Sequence, residues 1–310
     1  MIRVTIVGAG HYARSIVSRK YAESAGCTLL GVISPRTSAE RLYGTPLHGL
    51  PLVRSAAEWR GLHGPPTEHD VFDLCIHPDA ILAAMRPLVE IGARTFVLPK
   101  PLATTRAGLD ELVRFIRGSD LRVAVASQWH YSTVTGKLSK AVGSLVKPLC
   151  VEADFSQCFS SDQLRHYTPY TALLPHMLQI LHSTGLWRHA PGDRIMKVDE
   201  AATRLQVRVV ARAGGEILLH TDLETGERRR VIAVEDAAGH RVAADFLGVF
   251  RDGIAEKYPA IETDGRREEI LEDNIAVMVR QHIACLLDEG PYLDLDRYLP
   301  VNDTLVTIRG

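Results

Sequence analysis

The sequence has almost no net charge, which weighs against a role in nucleic-acid binding. Its 310 residues include 36 Lys and Arg against 37 Asp and Glu, a net charge of −1, whereas proteins that neutralise phosphates carry a basic excess. Its five cysteines are an odd number spread over a long chain, unlike the dense even sets of small secreted proteins. We therefore expect no nucleic-acid partner, and free thiols in a reducing cytoplasm.

The sequence also lacks long apolar runs and the signatures of several enzyme classes. Its longest apolar stretches, such as residues 29–33 and 95–98, are far shorter than the roughly 20 residues of a membrane span. The first residues lead directly into a strand-like run without the parts of an export signal. Zinc-type Cys or His spacing, the G-x-S-x-G elbow and the phosphate-binding G-x-x-x-x-G-K-[ST] loop are missing. We expect a cytoplasmic protein with no membrane contact and no metal.

The ordinary globular composition of 46% hydrophobic and 24% charged residues, together with a length about twice that of a typical domain, predicts two folded domains. In the first third, short apolar runs alternate with amphipathic stretches, the rhythm of a parallel α/β sheet. The predicted strands are 4–7, 29–33, 71–76, 95–98 and 123–126, and the predicted helices are 15–25, 81–91 and 109–116. This pattern predicts a Rossmann dinucleotide-binding domain over residues 1–125.

From about residue 126 the pattern changes to longer alternating runs, which favour an antiparallel sheet. The predicted strands are 151–156, 204–211, 216–223 and 229–234, and helices are expected at 175–184 and 267–287. The pairs Gly214-Gly215 and Thr225-Gly226 lie where hairpin turns would place glycine. Residues 126–310 are therefore predicted to form a second α/β domain with a mostly antiparallel sheet, and a cleft between the domains is the expected ligand site.

The strongest local motif is the glycine-rich segment 8–13, which follows the first strand and opens the first helix. Gly8 permits a tight turn, Gly10 lets the backbone approach a pyrophosphate, and the small Ala13 allows the helix to pack closely on the strand. His11 and Tyr12 complete the G-x-G-x-x-A pattern at the positive end of the helix. The motif in this context predicts dinucleotide binding.

The second strand ends at Ser34, where NAD-binding domains usually carry an acidic residue that binds the ribose. Here Ser34, Arg36 and Thr37 provide hydroxyls and a guanidinium, which suit a 2′-phosphate and remove a carboxylate that would repel it. The sequence therefore favours NADP(H), with NAD(H) as the alternative. In that alternative Arg36 is a solvated loop residue and Ser34 or the backbone holds the 2′-hydroxyl.

Two further segments end predicted strands at the ligand-binding edge of the first sheet. Pro101 keeps Lys100 out of helical geometry, so its ammonium could stabilise the negative charge that develops as hydride adds to a carbonyl or imine carbon. A surface lysine beside a structural turn is the alternative, and a cis Lys100–Pro101 bond would fit either. His77 and Pro78 follow the strand at 71–76 and are expected near the nicotinamide half of the cofactor.

The second domain supplies another catalytic candidate, His176, which follows Pro175 and is predicted at the N-terminal end of a helix. There a neutral imidazole could take part in acid/base chemistry, or it could be a hydrogen-bonded histidine beneath the sheet. Gln128, His130, Tyr131 and Tyr170 are predicted to line the substrate pocket, with half-buried side chains at the domain boundary as the alternative.

With these motifs in this order, the chain resembles the Gfo/Idh/MocA oxidoreductase family over essentially its whole length. The resemblance implies a Rossmann domain, a second domain whose open sheet often forms the oligomer interface, and nicotinamide-dependent hydride transfer on sugars, inositols or related small molecules. It also implies that Lys100 and His176 are catalytic, and that the protein is a homo-oligomer, a dimer or tetramer.

Three positions depart from that family's pattern. Pro99 replaces the glutamate of the Glu-Lys-Pro motif, and Ala172 and Gln179 replace acids that accompany the histidine in many sugar dehydrogenases. Without these carboxylates the histidine is less basic, so an NADPH-dependent reductase of a carbonyl or imine is favoured, with Lys100 as hydrogen-bond donor and His176 as proton donor. The alternatives are a sugar or inositol dehydrogenase of the same family and a non-catalytic NADP(H)-binding sensor.

Overall fold

The computed structural model describes residues 1–251, 254–286 and 294–310, and it divides into two compact units. The first comprises residues 1–128 and 275–298, and the second comprises residues 129–274 and 299–310. The sequence pattern predicts a single boundary at residue 125, with all later residues in the second domain. The structure puts the change of unit three residues later and returns residues 275–298 to the first unit.

The first unit contains a six-stranded parallel sheet in the spatial order β3-β2-β1-β4-β5-β6. Its strands are β1 Ile2–Val7, β2 Cys27–Ile33, β3 Leu52–Val53, β4 Asp70–Leu74, β5 Thr95–Leu98 and β6 Arg122–Val125. All five residues of β4 are buried, as expected where helices cover both faces of a parallel sheet. This strand order is that of a Rossmann fold. Successive strands are added on one side of β1 up to β3 and on its other side from β4 onward, so the order reverses between β1 and β4.

Helices connect these strands. A π-helical turn Ala13–Val17 runs into α1 Ser18–Ala22, followed by 3₁₀ turns at Ala39–Leu42 and Pro78–Ala80 and by α2 Ala56–His63, α3 Ile81–Glu90 and α4 Arg106–Gly118. The helix predicted at 15–25 thus begins earlier and ends at Ala22. The helix predicted at 81–91 is confirmed as α3, although Pro87 lies inside it.

The second unit contains an eight-stranded sheet in the order β16-β15-β12-β11-β7-β10-β9-β8. Its strands are β7 Leu149–Ser156, β8 Arg194–Glu200, β9 Arg204–Val210, β10 Glu216–Asp222, β11 Arg229–Asp236, β12 Arg241–Asp245, β15 Ala260–Thr263 and β16 Arg266–Glu269. Neighbouring strands are antiparallel, except that β7 and β10 are parallel. A separate hairpin joins β13 Val249–Arg251 to β14 Ile254–Lys257.

The helices of the second unit are α5 Thr133–Val142, α6 Ser161–Leu164, α7 Pro169–Ala172 and α8 Leu174–Thr184. Both remaining helices, α9 Asn274–Leu286 and α10 Leu295–Arg309, contain residues of both units. None of the helices in the described part of the chain combines the length and apolarity needed to cross a bilayer. All five cysteines are free thiols.

The structure confirms the predicted mostly antiparallel sheet but corrects two local predictions. Gly214-Gly215 joins the paired strands β9 and β10, as predicted, whereas Thr225-Gly226 joins β10 to β11, which lie on opposite sides of β7. The helix predicted at 267–287 begins only at Asn274, and Leu287 lies outside the described residues. The exposed, charged segment before it is the edge strand β16, where charges discourage further strand pairing.

Candidate functional site

The turn after β1 requires glycine at its first position. Gly8 has φ +94°, and a Cβ built on it would lie 2.6 Å from Ile76 Cγ2 and 2.7 Å from the Cys75 carbonyl oxygen. Both contacts are too short for any side chain, and the dihedral lies in the region that glycine favours. The turn therefore packs directly against the end of β4, whose Cys75 N–H donates to the Val7 carbonyl oxygen at 2.8 Å.

The next glycine faces open space. A Cβ built on Gly10 would meet no heavy atom within 4 Å, and helical structure runs from His11 to Ala22. The first-turn N–H groups of a helix lack intrahelical acceptors and form a site for anions. Ala13 is completely buried, in agreement with the small residue expected where the helix packs on the sheet.

The neighbouring strand end brings His77 and Pro78 to the same reversal point of the sheet. β4 ends at Leu74, and Pro78 begins the short 3₁₀ turn that His77 caps by accepting a hydrogen bond from the Asp79 N–H at 3.4 Å. His77 is exposed, and its Nδ1 lies 3.5 Å from an Asp79 carboxylate oxygen. Because β1 and β4 are adjacent parallel strands, their C-terminal loops lie side by side at the place where Rossmann sheets bind dinucleotides.

The end of β2 carries no carboxylate. Ser34 and Thr37 are buried, and the Ser34 hydroxyl donates to Thr37 Oγ1 at 2.9 Å, while Arg36 is exposed between them. Arg54, which follows β3, donates from Nη1 to the Ser34 carbonyl oxygen at 3.2 Å and to the Thr37 carbonyl oxygen. The guanidinium of Arg54 therefore braces the loop that presents Arg36.

Sequence reasoning missed Arg54, because β3 contains only two residues and gives no periodic signal. Arg54 directly follows β3, and it becomes a candidate for the loop after β2 only when the sheet order shows that β3 lies beside β2.

Two predicted site residues, Lys100 and Gln128, meet in the first unit. β5 ends at Leu98 and β6 at Val125, and the Ala126 N–H donates to the Leu98 carbonyl oxygen at 2.8 Å. The Lys100–Pro101 peptide bond is cis. The Lys100 Nζ donates to Gln128 Oε1 at 3.1 Å. The ammonium thus lies at the same C-terminal edge of the sheet as the glycine turn.

In the second unit, a tryptophan side chain forms a hydrogen bond with the ring of His176. His176 is the third residue of α8, close to its N-terminal end as predicted. Trp129 is buried and donates from Nε1 to His176 Nδ1 at 2.6 Å. Because an indole N–H can only donate, Nδ1 accepts and carries no proton, and a neutral His176 carries its proton on Nε2. Trp129 also packs edge-on against Phe246, with ring centroids 5.2 Å apart.

The other predicted pocket residues have more varied surroundings. His130 and Tyr131 are half-buried and contact each other edge-to-face, with ring centroids 4.9 Å apart. Tyr170 is buried, and its hydroxyl donates to Glu200 Oε1 at 2.6 Å. Burial and this carboxylate raise the pKa of Tyr170. The Tyr170 hydroxyl is therefore engaged within the protein, and its contact with substrate stays a prediction.

A buried carboxyl lies within the first sheet beside the site. Asp73 of β4 accepts a hydrogen bond from the Tyr21 hydroxyl at 2.9 Å, and Cys75 Sγ lies 3.6 Å from its other oxygen. Burial raises the pKa of Asp73 to about 6, although the hydrogen bonds from Tyr21 and Cys75 oppose the shift. Burial raises the pKa values of Tyr21 and Cys75 as well, and the negative charge of Asp73 adds to both shifts.

These residues fit a nicotinamide dinucleotide. The open space at Gly10, the helix start beside it and the sheet reversal between β1 and β4 provide a place for a pyrophosphate. The hydroxyls and guanidinium after β2 provide donors to the ribose end. Within residues 1–251, 254–286 and 294–310, no three His, Cys, Asp or Glu side chains are grouped so that they could hold a metal ion.

Among the comparisons with known proteins, only the comparison of structures finds matches, and these matches show the fold. No protein-family model matches the sequence, and no curated protein matches it. Solved structures match over nearly the whole chain. UDP-N-acetylglucosamine 3-dehydrogenase GnnA from Acidithiobacillus ferrooxidans has a TM-score of 0.75 at 18% identity, with 99% of this chain and 96% of that one covered.

Two further structures match with the same coverage, 99% of this chain and 96% of theirs. They are the aldose-aldose oxidoreductase from Caulobacter crescentus complexed with glycerol, at TM-score 0.76 and 14% identity, and a 3-ketoreductase from Actinomadura kijaniata complexed with TDP-benzene and NADP, at 0.74 and 13%. These neighbours are a dehydrogenase, an oxidoreductase and a ketoreductase. The chain shares their fold: a Rossmann-like parallel sheet with a second, mostly antiparallel sheet.

Proposed function

We propose that the protein is an NADP(H)-dependent reductase that delivers hydride to a carbonyl or imine carbon of a small polar metabolite. The observation that carries this proposal is the placement of Lys100, hydrogen-bonded to Gln128, at the edge of the sheet that also presents the glycine turn. An ammonium at that edge suits a substrate whose oxygen or nitrogen gains negative charge. The oxidoreductase names of the structural neighbours support the same class of reaction.

The cofactor would be held by the first unit. The backbone at Gly8, Gly10, His11, Tyr12 and Ala13 would bind the pyrophosphate, and His77 with Pro78 would lie against the nicotinamide half. Ser34, Arg36 and Thr37 would bind the phosphorylated ribose. The absence of a carboxylate at the end of β2 and the exposed guanidinium of Arg36 favour NADP(H) over NAD(H), and the NADP bound to the A. kijaniata ketoreductase is in line with this preference.

The chemistry then divides between the cofactor and two side chains. A bound reduced nicotinamide supplies the hydride. Lys100 stabilises the charge that develops on the substrate oxygen or nitrogen, and Gln128 orients its ammonium. We assign the transferred proton to the Lys100 Nζ. A neutral imidazole that lost its Nε2 proton would become an anion, so we give His176 the role of hydrogen-bond donor to the substrate in place of the proton-donor role expected from the sequence.

The Trp129 hydrogen bond also favours reduction over polyol oxidation. A histidine that acts as the base of a dehydrogenase needs an unprotonated nitrogen toward the substrate, and Trp129 occupies the nitrogen of His176 that is unprotonated. The positions of the missing acids are Ala172 and Gln179. Gln179 is buried and its amide donates to Ser183 Oγ at 2.8 Å. No carboxylate at these positions raises the basicity of His176.

The uncovered face of the second sheet leads us to propose a homo-oligomer, a dimer or tetramer. Cys150 and Glu152 of β7 and Arg241 of β12 are exposed on strands whose alternate residues are buried. Sedimentation analysis of the purified protein tests this: a species of 34.2 kDa at micromolar concentration would contradict it.

A paired titration with NADPH and NADH, followed by nicotinamide fluorescence, tests the function first. We expect tight binding of NADPH and weak binding of NADH, and failure to bind either overturns the proposal. An NADPH-oxidation screen of ketones and imines follows. Lys100→Ala should lower turnover about 10²-fold or more while NADPH binding persists. Cofactor binding without turnover on any carbonyl, imine or polyol would favour the sensor instead.

A further inference from the structure

Arg230 is a half-buried cation of the second unit whose hydrogen-bond partner among the described residues is a neutral amide. It lies on β11 directly opposite Phe155 of β7 in the antiparallel register. Its Nη2 donates to Gln157 Oε1 at 3.2 Å, and among the described residues no carboxylate forms an ion pair with it. Burial, and secondarily the positive charge of Arg228, lower the pKa of Arg230 to about 9.

The neighbouring arginine shows what an ordinary surface cation does on this strand. Arg229 is exposed, points to the other face of the sheet by strand alternation, and pairs with the carboxylates of Glu227 and Asp154. The two adjacent arginines thus differ. Arg229 is neutralised on the open face, whereas Arg230 is partly withdrawn from water and, in the part of the chain that the structure describes, has a neutral amide as its partner. A partly desolvated cation of this kind destabilises the folded protein, and binding of an anion would offset that cost.

The face of the sheet that carries Arg230 is also the face that supports His176. Directly opposed residues of paired strands share a face, so Arg230 shares its face with Phe155. Phe155 packs on Phe246 with ring centroids 6.2 Å apart, and Phe246 packs on Trp129, whose indole holds His176. The Phe246 N–H also donates to the Arg230 carbonyl oxygen at 2.7 Å. A continuous aromatic layer therefore joins the arginine to the histidine.

We propose that Arg230, oriented by Gln157, binds an anionic group of the substrate, a carboxylate or a phosphoryl group. This inference rests on the reductase proposed above and narrows its substrates to carbonyl or imine compounds that carry such a group. The planar guanidinium can donate two parallel hydrogen bonds to either group. The Gln157 side-chain oxygen, which accepts from Nη2, fixes the direction of that fork.

The test measures anion binding by calorimetry with malonate as the carboxylate probe and inorganic pyrophosphate as the phosphoryl probe. It is made with NADPH bound, so that the cofactor blocks its own phosphate sites, and again without NADPH. In Arg230→Met the Kd of the preferred probe should rise at least tenfold. The matched control Arg229→Gln should stay within twofold of the original protein.

A second readout separates ligand binding from a structural role. Arg230→Met should melt no lower than the original protein in the absence of probe, because it removes a cation that lacks a counter-ion, and the probe should no longer raise its melting temperature. Arg230→Lys keeps the charge but loses the fork, and should weaken binding about threefold to tenfold. It also provides the comparison if the methionine variant does not fold.

The outcomes for the anion site and for the reductase can be told apart. Loss of binding confined to the Arg230 variants supports the site, and the tighter probe identifies the anionic group. Unchanged binding in a folded Arg230→Met variant, or no binding of either probe to the original protein, overturns it. If NADPH fails to bind, the reductase proposal fails, while the measurements without NADPH still decide whether Arg230 binds anions.

Discussion

The indole Nε1 of Trp129 donates a hydrogen bond of 2.6 Å to Nδ1 of His176, and this contact determines which nitrogen of the imidazole bears the proton. Nδ1 has to be the acceptor because the indole has no lone pair to offer. The adjacent residue, Gln128, accepts a hydrogen bond from Lys100. Two consecutive residues of the chain therefore orient the two predicted catalytic side chains, each within its own unit.

Trp129→Phe should release His176 from its single tautomer. In the original protein, long-range ¹H–¹⁵N NMR of the His176 ring at neutral pH should show the proton on Nε2, and the variant should show a mixture of tautomers. Turnover should fall roughly tenfold or more, since small errors in the position of a catalytic group can reduce rates by about 10²-fold.

Trp187→Phe is the matched control for this change. Trp187 lies in the same unit and is also buried, but its Nε1 donates to Asp193 at 3.0 Å. This variant should keep the His176 spectrum and the turnover of the original protein. A proton on Nδ1 in the original protein would show that the indole does not set the tautomer.

Gly8 and Gly10 should respond differently to alanine, although they belong to one motif. Gly8→Ala forces a Cβ against Ile76 and the Cys75 carbonyl at a positive φ, so the free energy of unfolding should fall by about 1–3 kcal/mol. Gly10→Ala meets no protein atom and should leave that free energy within about 1 kcal/mol, yet raise the Kd of NADPH at least tenfold by occupying the space for the pyrophosphate.

Denaturant unfolding and NADPH titration of both variants check this pair. Gly136→Ala, within α5 and equally free of neighbours, controls for the general effect of alanine in a helix, which is a gain of about 1 kcal/mol. If Gly10→Ala binds NADPH normally, the pyrophosphate does not bind at this turn.

The parts of the fold that sequence predicts are those in which local signals agree. A strand, a G-x-G-x-x-A turn and a helix occur together at residues 2–22, and the structure has the predicted order there. Proline after Lys100 and before His176 also placed those residues correctly at a strand end and near a helix start. In each case the interactions that determine the local structure involve residues only a few positions apart in sequence.

Long-range pairing explains what sequence missed. The insertion of β7 between β10 and β11 pairs residues that are 66 to 87 positions apart in sequence, and the glycine pairs in the turns carry no information about it. The Trp129–His176 bond links residues 47 apart in sequence, and Arg230 became a candidate only when its face of the sheet was known. The residues of the charged strand β16 predict a helix start instead, because acidic residues suit both a helix N-terminus and a strand edge.

Arg36 and Arg54 should have separable roles at the 2′-phosphate. Arg36→Ala removes an exposed cation and should raise the Kd of NADPH about tenfold or more while NADH changes less than twofold, because a charged hydrogen bond to phosphate contributes about 1.5–3 kcal/mol. Arg54→Ala leaves the Ser34 and Thr37 carbonyl oxygens without their donor and should weaken both cofactors by a similar, smaller factor.

Cofactor titrations at low and high salt distinguish these roles. The Arg36 effect should shrink as salt screens the phosphate, whereas the Arg54 effect should persist, with a loss of unfolding free energy of about 1–3 kcal/mol. Equal weakening of NADPH and NADH by Arg36→Ala would refute the phosphate assignment.

Asp73 should make the protein less stable as pH rises from about 4 to above 6. Its folded pKa is about 6 against an ordinary value of 3.8, so within this window the folded state keeps a proton that the unfolded chain has released. Stability therefore falls with rising pH, by up to about 3 kcal/mol, which corresponds to the difference between the two pKa values. Asp73→Asn cannot titrate and should lose this dependence, so its stability relative to the original protein should increase across the window.

Urea unfolding at intervals between pH 4 and pH 8 measures that difference, and Asp236→Asn is the control of opposite sign. Burial alone would raise the pKa of Asp236, but N–H groups of Val146, His240 and Ala238 and the His240 ring outweigh burial and lower it. Its stabilisation is complete above about pH 4 and is lost only as pH falls further. The Asp236→Asn difference should therefore stay constant where the Asp73→Asn difference changes. If the Asp73→Asn difference is equally flat, the carboxyl is ionised in the folded protein throughout, and burial beside Tyr21 does not hold its proton.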